Sequence, residues 1–211
     1  MRAGHFQCIV LKKVFTMSNS DWRRNIGVHF TTPVAKVLSH TPLTPNAITL
    51  IGFVLICGAA FLVATHHFLW GGIGVLVASI MDAFDGALAR YSGRVSRFGA
   101  VLDSTLDRFS EGVVLLGIIY VMACEGSEWG AVLGGATLLL SLSVSYIRAR
   151  AESIGLSCSE GWFTRVERVI VIAVGLVINR VIIAIAIVAV LSLITALQRL
   201  YVVWHKLQTA K

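Results

Sequence analysis

Six long apolar runs occupy most of the chain beyond residue 46. They lie at 47–65, 69–89, 98–124, 130–146, 169–178 (continuing back to about 164) and 181–200. Each run is continuous rather than alternating. In lipid every backbone polar group must be satisfied within the protein, so only helices and closed barrels cross a membrane. Continuous apolar runs are the helical pattern, not that of barrel strands. Composition agrees: 56% of residues are hydrophobic, 14% are charged and the mean hydropathy is +0.81. A soluble domain carries about 25% charged residues. The expected fold is an all-α integral membrane protein, with six transmembrane helices in one bundle over residues 41–205.

The charged residues orient that bundle. Arg23, Arg24 and Lys36 precede the first run; Arg90, Arg94 and Arg97 lie between the second and third. Arg148, Arg150, Arg165 and Arg168 surround the break between the fourth and fifth, and Arg199, Lys206 and Lys211 end the chain. The opposite breaks hold His66, His67, Glu125, Glu128 and Arg180. By the positive-inside rule both termini are cytoplasmic, as expected of a multi-pass protein of the plasma membrane. The net charge of +7 then reflects topology and attraction to anionic membrane lipids, and no nucleic-acid partner is expected. Residues 1–20 form an N-terminal extension in which Met17 is a second candidate start, and 206–211 a C-terminal tail. Residues 21–40 read as an amphipathic interfacial helix before the first span, anchored by Trp22 and Phe30. Trp129, Trp162 and Trp204 read as depth anchors. Cys8, Cys57, Cys124 and Cys158 have no metal or redox spacing and read as free thiols.

Four of the five aspartates fall within 26 residues, as Asp82-x2-Asp85-Gly86-x2-Ala89-Arg90-x8-Gly99-x3-Asp103-x3-Asp107. A carboxylate at membrane depth costs roughly 2.5–3.5 kcal/mol on insertion scales, so four together need a common reason. Asp82 and Asp85 share one helix face, as do Asp103 and Asp107. A short basic loop joins the two segments, which predicts antiparallel neighbours with converging carboxylates. Oxygen-only donors select hard cations, Mg²⁺, Mn²⁺ or Ca²⁺. The absence of Cys and His from the motif argues against zinc. Four carboxylates suit two ions and leave positions for phosphate oxygens, the arrangement used in phosphoryl transfer. Gly86 and Ala89 allow close approach of a ligand, and Arg90 is placed either to pair with phosphate or to snorkel to the interface.

The eight fixed positions of this stretch resemble, without a gap, the signature of the CDP-alcohol phosphotransferase family. Leu43-Thr44-Pro45-Asn46-Ala47-Ile48-Thr49 is similar to the family's segment before its first span. The resemblance covers about residues 28–205. It implies a six-span, usually homodimeric enzyme that transfers a phosphatidyl or related group from a CDP-linked donor to an alcohol and releases CMP. By position it implies Asp82, Asp85, Asp103 and Asp107 as ligands of two Mg²⁺ ions, with Mn²⁺ the alternative, and Asp107 also as general base. It assigns Asn46, Ala47, Ile48, Thr49, Gly86, Arg90 and Ser96 to the CDP-lipid. No Ser–His or Cys–His pair lies near the motif, which favours direct displacement over a covalent intermediate.

Arginines of the second half bear on the acceptor. Arg148, Arg150, Arg165, Arg168 and Arg199 crowd one membrane face, and guanidinium groups bind phosphate bidentately. A phosphorylated alcohol suits them better than free serine, choline or inositol. Residues 145–152 and 98–108 resemble the prokaryotic branch that joins CDP-diacylglycerol to inositol 1-phosphate, giving phosphatidylinositol phosphate. That branch commonly has lysine where Arg148 stands. By position the resemblance assigns Ser145, Arg148, Arg168 and Arg199 to the inositol phosphate. Glycerol 3-phosphate as acceptor and CDP-archaeol as donor remain open. An ion-coupled transporter is the alternative class. The one-sided carboxylate cluster, the lack of an inverted repeat and the lack of a broken span argue against it.

Overall fold

A computed structural model describes residues 44–91, 96–158, 161 and 163–209, with the side chains of Ala83 and Asp85 outside that description. The expected interfacial helix at 21–40 and the extension at 1–20 also lie outside it. Six helices account for nearly all the described chain: α1 Pro45–Ala64, α2 Phe68–Tyr91, α3 Arg97–Cys124, α4 Glu128–Ser153, α5 Arg165–Val177 and α6 Val181–Thr209. No strand occurs among the described residues.

Local chemistry sets the ends. Thr44 caps α1 by accepting from the Ala47 backbone N–H at 3.2 Å, and Pro45 starts the helix, where its missing N–H costs nothing. Ser96 caps α3 by accepting from Gly99 N–H at 2.9 Å. Glu167 reaches back to accept from Thr164 N–H at 2.8 Å, the reciprocal half of a capping box on α5. The α5–α6 connection is a tight turn, as the two residues between the fifth and sixth apolar runs require. Asn179 takes a left-handed φ of 54°, and Arg180 N–H donates to Gly175 O at 2.7 Å. Left-handed backbone is tolerated better by Asn than by most residues.

Four helices, α1, α2, α4 and α6, are long and apolar enough to cross a membrane. The other two fall short for separate reasons. The 13 residues of α5 span only about 20 Å at 1.5 Å per residue. The N-terminal part of α3, as far as Glu111, carries Arg97, Asp103, Asp107, Arg108 and Glu111. The fourth and sixth helices also outrun their apolar runs, so Arg148 and Arg150 sit on α4 itself and α6 continues past 205 to Thr209.

The packing closes a ring in the order α3, α1, α2, α5, α6, α4 and back to α3. This corrects one expectation. Among the described residues α2 and α3 scarcely touch each other; both pack on α1 instead. Small residues permit that: a Cβ on Gly117 of α3 would stand 2.9 Å from Ala60 O of α1. Thr137 of α4 donates to Ile185 O of α6 at 3.1 Å, an interhelical bond of the kind that joins membrane helices. Val63, Ala78, Leu115, Ile118, Ala173 and Ile185 fill the centre. Large apolar side chains such as Leu139, Ile183 and Leu197 face outward, as a lipid-facing surface requires. The three described cysteines form no disulfide. Trp129 and Trp204 are exposed at opposite ends, consistent with depth anchoring; Trp162 lies outside the described residues.

Candidate active site at one end of the bundle

Alternating helix directions bring the starts of α1, α3 and α5 to the same end as the finishes of α2, α4 and α6. That end holds the aspartates and most of the arginines. It contains two cavities that share Asp103 in their walls.

The first, of about 180 Å³, lies between α1, α2 and α3 and is lined by Pro45, Asn46, Thr49, Gly86, Ala89, Arg90, Ser96, Gly99, Ala100 and Asp103. It gathers Asn46, Thr49, Gly86, Arg90 and Ser96 as the resemblance implies. Ala47 and Ile48 do not line it; Ile48 is 3% exposed and part of the apolar interior. The reason is helical spacing, since Asn46 and Thr49 are i,i+3 and share a face that the two intervening residues leave. Glycines make the walls. A Cβ at Gly86 would stand 3.4 Å from Arg90 Nη1, and one at Gly99 would stand 2.9 Å from both Asn46 Oδ1 and Ser96 Oγ. A side chain at Gly99 would push against both polar atoms, whereas one at Gly86 would only come into contact with Arg90.

The second cavity, of about 350 Å³, lies between α3, α4, α5 and α6. Ser145, Arg148, Arg168 and Arg199 all line it, together with Arg108, Arg165, Asp103, Asp107, Glu111, Glu152 and Thr164. The four residues assigned to a phosphorylated acceptor therefore meet in one place. They differ in character. Arg148 is half-exposed and donates from Nε to Glu152 Oε1 at 2.9 Å. Arg199 is buried, with Nη1 donating to Val144 O at 2.6 Å. Arg168 is 1% exposed and donates to Glu111 twice, from Nε to Oε1 at 2.6 Å and from Nη2 to Oε2 at 2.8 Å. Ser141 of α4 donates to the same Glu111 carboxylate. Arg168 is thus fixed in orientation before any ligand arrives.

Glu111 has no role in the sequence-based assignments, and Arg165 enters them only as one of the clustered arginines. Glu111 extends the stripe of Asp103 and Asp107 by one more i,i+4 step, and that spacing is the signal that could have found it. Arg165 is i,i+3 from Arg168 and faces the same cavity. Its Nη2 donates to Asp82 Oδ2 at 2.9 Å, and its Nη1 lies 2.6 Å from Asp107 Oδ1. A guanidinium from α5 therefore draws together carboxylates of two helices that barely touch.

The donor set fits a hard divalent cation. Asp82, Asp103 and Asp107 offer only carboxylate oxygens, and Asp82 and Asp107 already converge on one cationic group. Gly52 of α1 leaves the space for this, because a Cβ there would stand 2.8 Å from Asp82 Oδ1. Among the described residues no three carboxylates stand close enough to hold an ion by themselves; Arg165 takes the space between two of them. Asp85 lies on α2, but its side chain is outside the described part.

The fold and the site together define a helical membrane transferase, with an acidic centre set between a small-residue cavity and an arginine-rich one. Residues 42–207 match the CDP-alcohol phosphatidyltransferase family, and the chain belongs to that family of phospholipid-synthesising enzymes. It is 36% identical over 185 residues to an archaetidylinositol phosphate synthase of Methanothermobacter thermautotrophicus, covering 85% of this chain and 91% of that one. It is 36% identical over 192 residues to a phosphatidylinositol phosphate synthase of Mycobacteroides abscessus, covering 85% and 86%. Among solved structures it resembles the Mycobacterium tuberculosis phosphatidylinositol phosphate synthase with CDP-DAG bound, with TM-score 0.77, 34% identity and coverage of 83% and 94%. The same Mycobacterium tuberculosis protein has also been solved with manganese and citrate, with TM-score 0.77, 34% identity and coverage of 82% and 88%.

Proposed function

We propose that the protein transfers the phosphatidyl group of CDP-diacylglycerol to the hydroxyl of inositol 1-phosphate, giving phosphatidylinositol phosphate and CMP. The observation that carries this reading is the cavity with five arginines in its wall, opening beside Asp103 and Asp107. Such a wall suits an anionic acceptor, and free inositol has no charge for it to bind.

In this reading the CDP-lipid occupies the smaller cavity. Asn46, Thr49 and Ser96 meet its polar part, Gly86 and Gly99 let it approach the backbone, and Arg90 pairs with a phosphate. The acceptor enters the larger cavity, where Arg148, Arg168, Arg199 and Ser145 hold its phosphate and aim its hydroxyl at the shared wall. Asp82, Asp85, Asp103 and Asp107 hold two Mg²⁺ ions, with Mn²⁺ a substitute. These supply charge neutralisation of the diphosphate and of the departing CMP. Asp107 takes the hydroxyl proton as the new P–O bond forms and the bond to CMP breaks. Asp107 lines the acceptor cavity and not the donor one, which supports this division of roles.

The reading extends to the membrane. All six helices are embedded, α3 and α5 being covered by their neighbours or by a second copy in a homodimer. The 21–40 segment lies on the interface. The site faces the cytoplasm of the plasma membrane, as the positive-inside rule favours. Arg180 is the lone Lys or Arg of the described loops at the other end.

One second reading has a specific observation behind it: relatives named archaetidylinositol phosphate synthases match as well as the mycobacterial ones. That reading keeps the acceptor and replaces the donor by CDP-archaeol. The test is CMP release by the purified protein with Mg²⁺, crossing each donor with inositol 1-phosphate, glycerol 3-phosphate and free inositol. Release that requires inositol 1-phosphate supports the acceptor assignment, and the donor arm decides between the two lipids. Release with glycerol 3-phosphate alone overturns it. Loss of release on chelation, restored by Mg²⁺ or Mn²⁺, tests the metal.

A further inference from the structure

Arg165 touches the carboxylates but is incompletely satisfied by them. Its two terminal nitrogens bridge Asp82 and Asp107, while its Nε is buried and makes no hydrogen bond. A buried donor without a partner is costly, and a guanidinium has five donors to place. The same side chain lines the arginine-rich cavity. A divalent cation bound through the oxygens that now face Arg165 competes for their lone pairs and repels its positive charge, which favours its release. The carboxylates that line the cavity outside the metal centre are already engaged, Glu111 by Arg168 and Ser141 and Glu152 by Arg148, so the acceptor left for the displaced fork is a phosphate in that cavity.

We propose that Arg165 is an exchangeable counter-ion. It neutralises Asp82 and Asp107 when no divalent cation is bound, and metal entry frees it to become a further phosphate anchor for the acceptor. The metal thereby completes the acceptor site, and the acceptor's phosphate binds best after the metal. This inference rests on the reading of the aspartates as a metal centre. By linkage the coupling is reciprocal, so an anion in the acceptor cavity must tighten metal binding by the same factor.

The test uses the full chain in detergent micelles, with Mn²⁺ binding followed by the EPR signal of free ions and sulfate as the anion probe. For the unaltered protein, sulfate should tighten Mn²⁺ binding several-fold. Arg165→Gln should bind Mn²⁺ about tenfold more tightly without sulfate, and sulfate should no longer matter. Arg108→Gln, which removes the same charge from the same cavity wall, should shift Mn²⁺ affinity only about twofold to threefold and keep the sulfate effect. If Arg165→Gln and Arg108→Gln behave alike, or if sulfate leaves the unaltered protein unchanged, the exchange is overturned while the metal centre stands. If the unaltered protein binds no Mn²⁺, the metal centre and the exchange fall together. The sulfate effect on the unaltered protein needs no variant, so a folding defect in Arg165→Gln does not remove the test.

Discussion

Arg168 and Glu111 form a two-pronged ion pair in the interior of the bundle, Nε to Oε1 at 2.6 Å and Nη2 to Oε2 at 2.8 Å. The pair ties α5 to α3, and Ser141 adds α4 to the same carboxylate. Removing one partner strands a buried charge, at a cost of about 3–5 kcal/mol. Glu111→Ala should therefore lower the unfolding temperature and raise the acceptor KM with little change in donor KM. The double variant Glu111→Met, Arg168→Met should recover much of the stability and none of the acceptor binding. Recovery of both would make the pair purely structural.

Arg148 is the cleaner probe of acceptor recognition, because it is half-exposed and its partner Glu152 sits one turn away on the same helix. A hydrogen bond to a charged group contributes about 1.5–3 kcal/mol. Arg148→Ala should raise the acceptor KM roughly 10- to 100-fold and leave the fold and the donor KM nearly unchanged. Equal changes in both KM values would assign Arg148 to general surface potential.

Asp107→Asn should lower turnover by about 10²- to 10⁴-fold, the usual contribution of a general base. Binding of CDP-lipid measured without divalent cation should change little, since Asp107 does not line the donor cavity. Unaltered turnover removes Asp107 as the base.

Gly52 carries a prediction that no motif suggests. Its missing Cβ leaves room for Asp82, whose Oδ1 lies 2.8 Å from where that atom would stand. Gly52→Ala should displace the carboxylate and weaken divalent-ion binding about 10- to 100-fold, as loss of support around a metal site does. A normal Mn²⁺ titration for this variant would show that Asp82 needs no such space.

Much of this protein can be read along the chain. Continuous apolar runs determine helices, because lipid leaves the backbone no other partner. The spacing of Asp82, Asp85, Asp103 and Asp107 determines two acidic helix faces, because 3.6 residues make a turn. Arginines scattered over some 50 residues point to an anion. What the chain could not show is which helices touch. The direct α2–α3 pairing expected from a short loop is replaced by a ring in which α1 packs against both, since connection length limits distance but does not choose a packing face. The division into two cavities meeting at Asp103, the clamp of Glu111 on Arg168 and the bridge from Arg165 to Asp82 and Asp107 all follow from that ring. Each joins residues far apart in sequence, and only tertiary packing brings such groups within hydrogen-bonding distance.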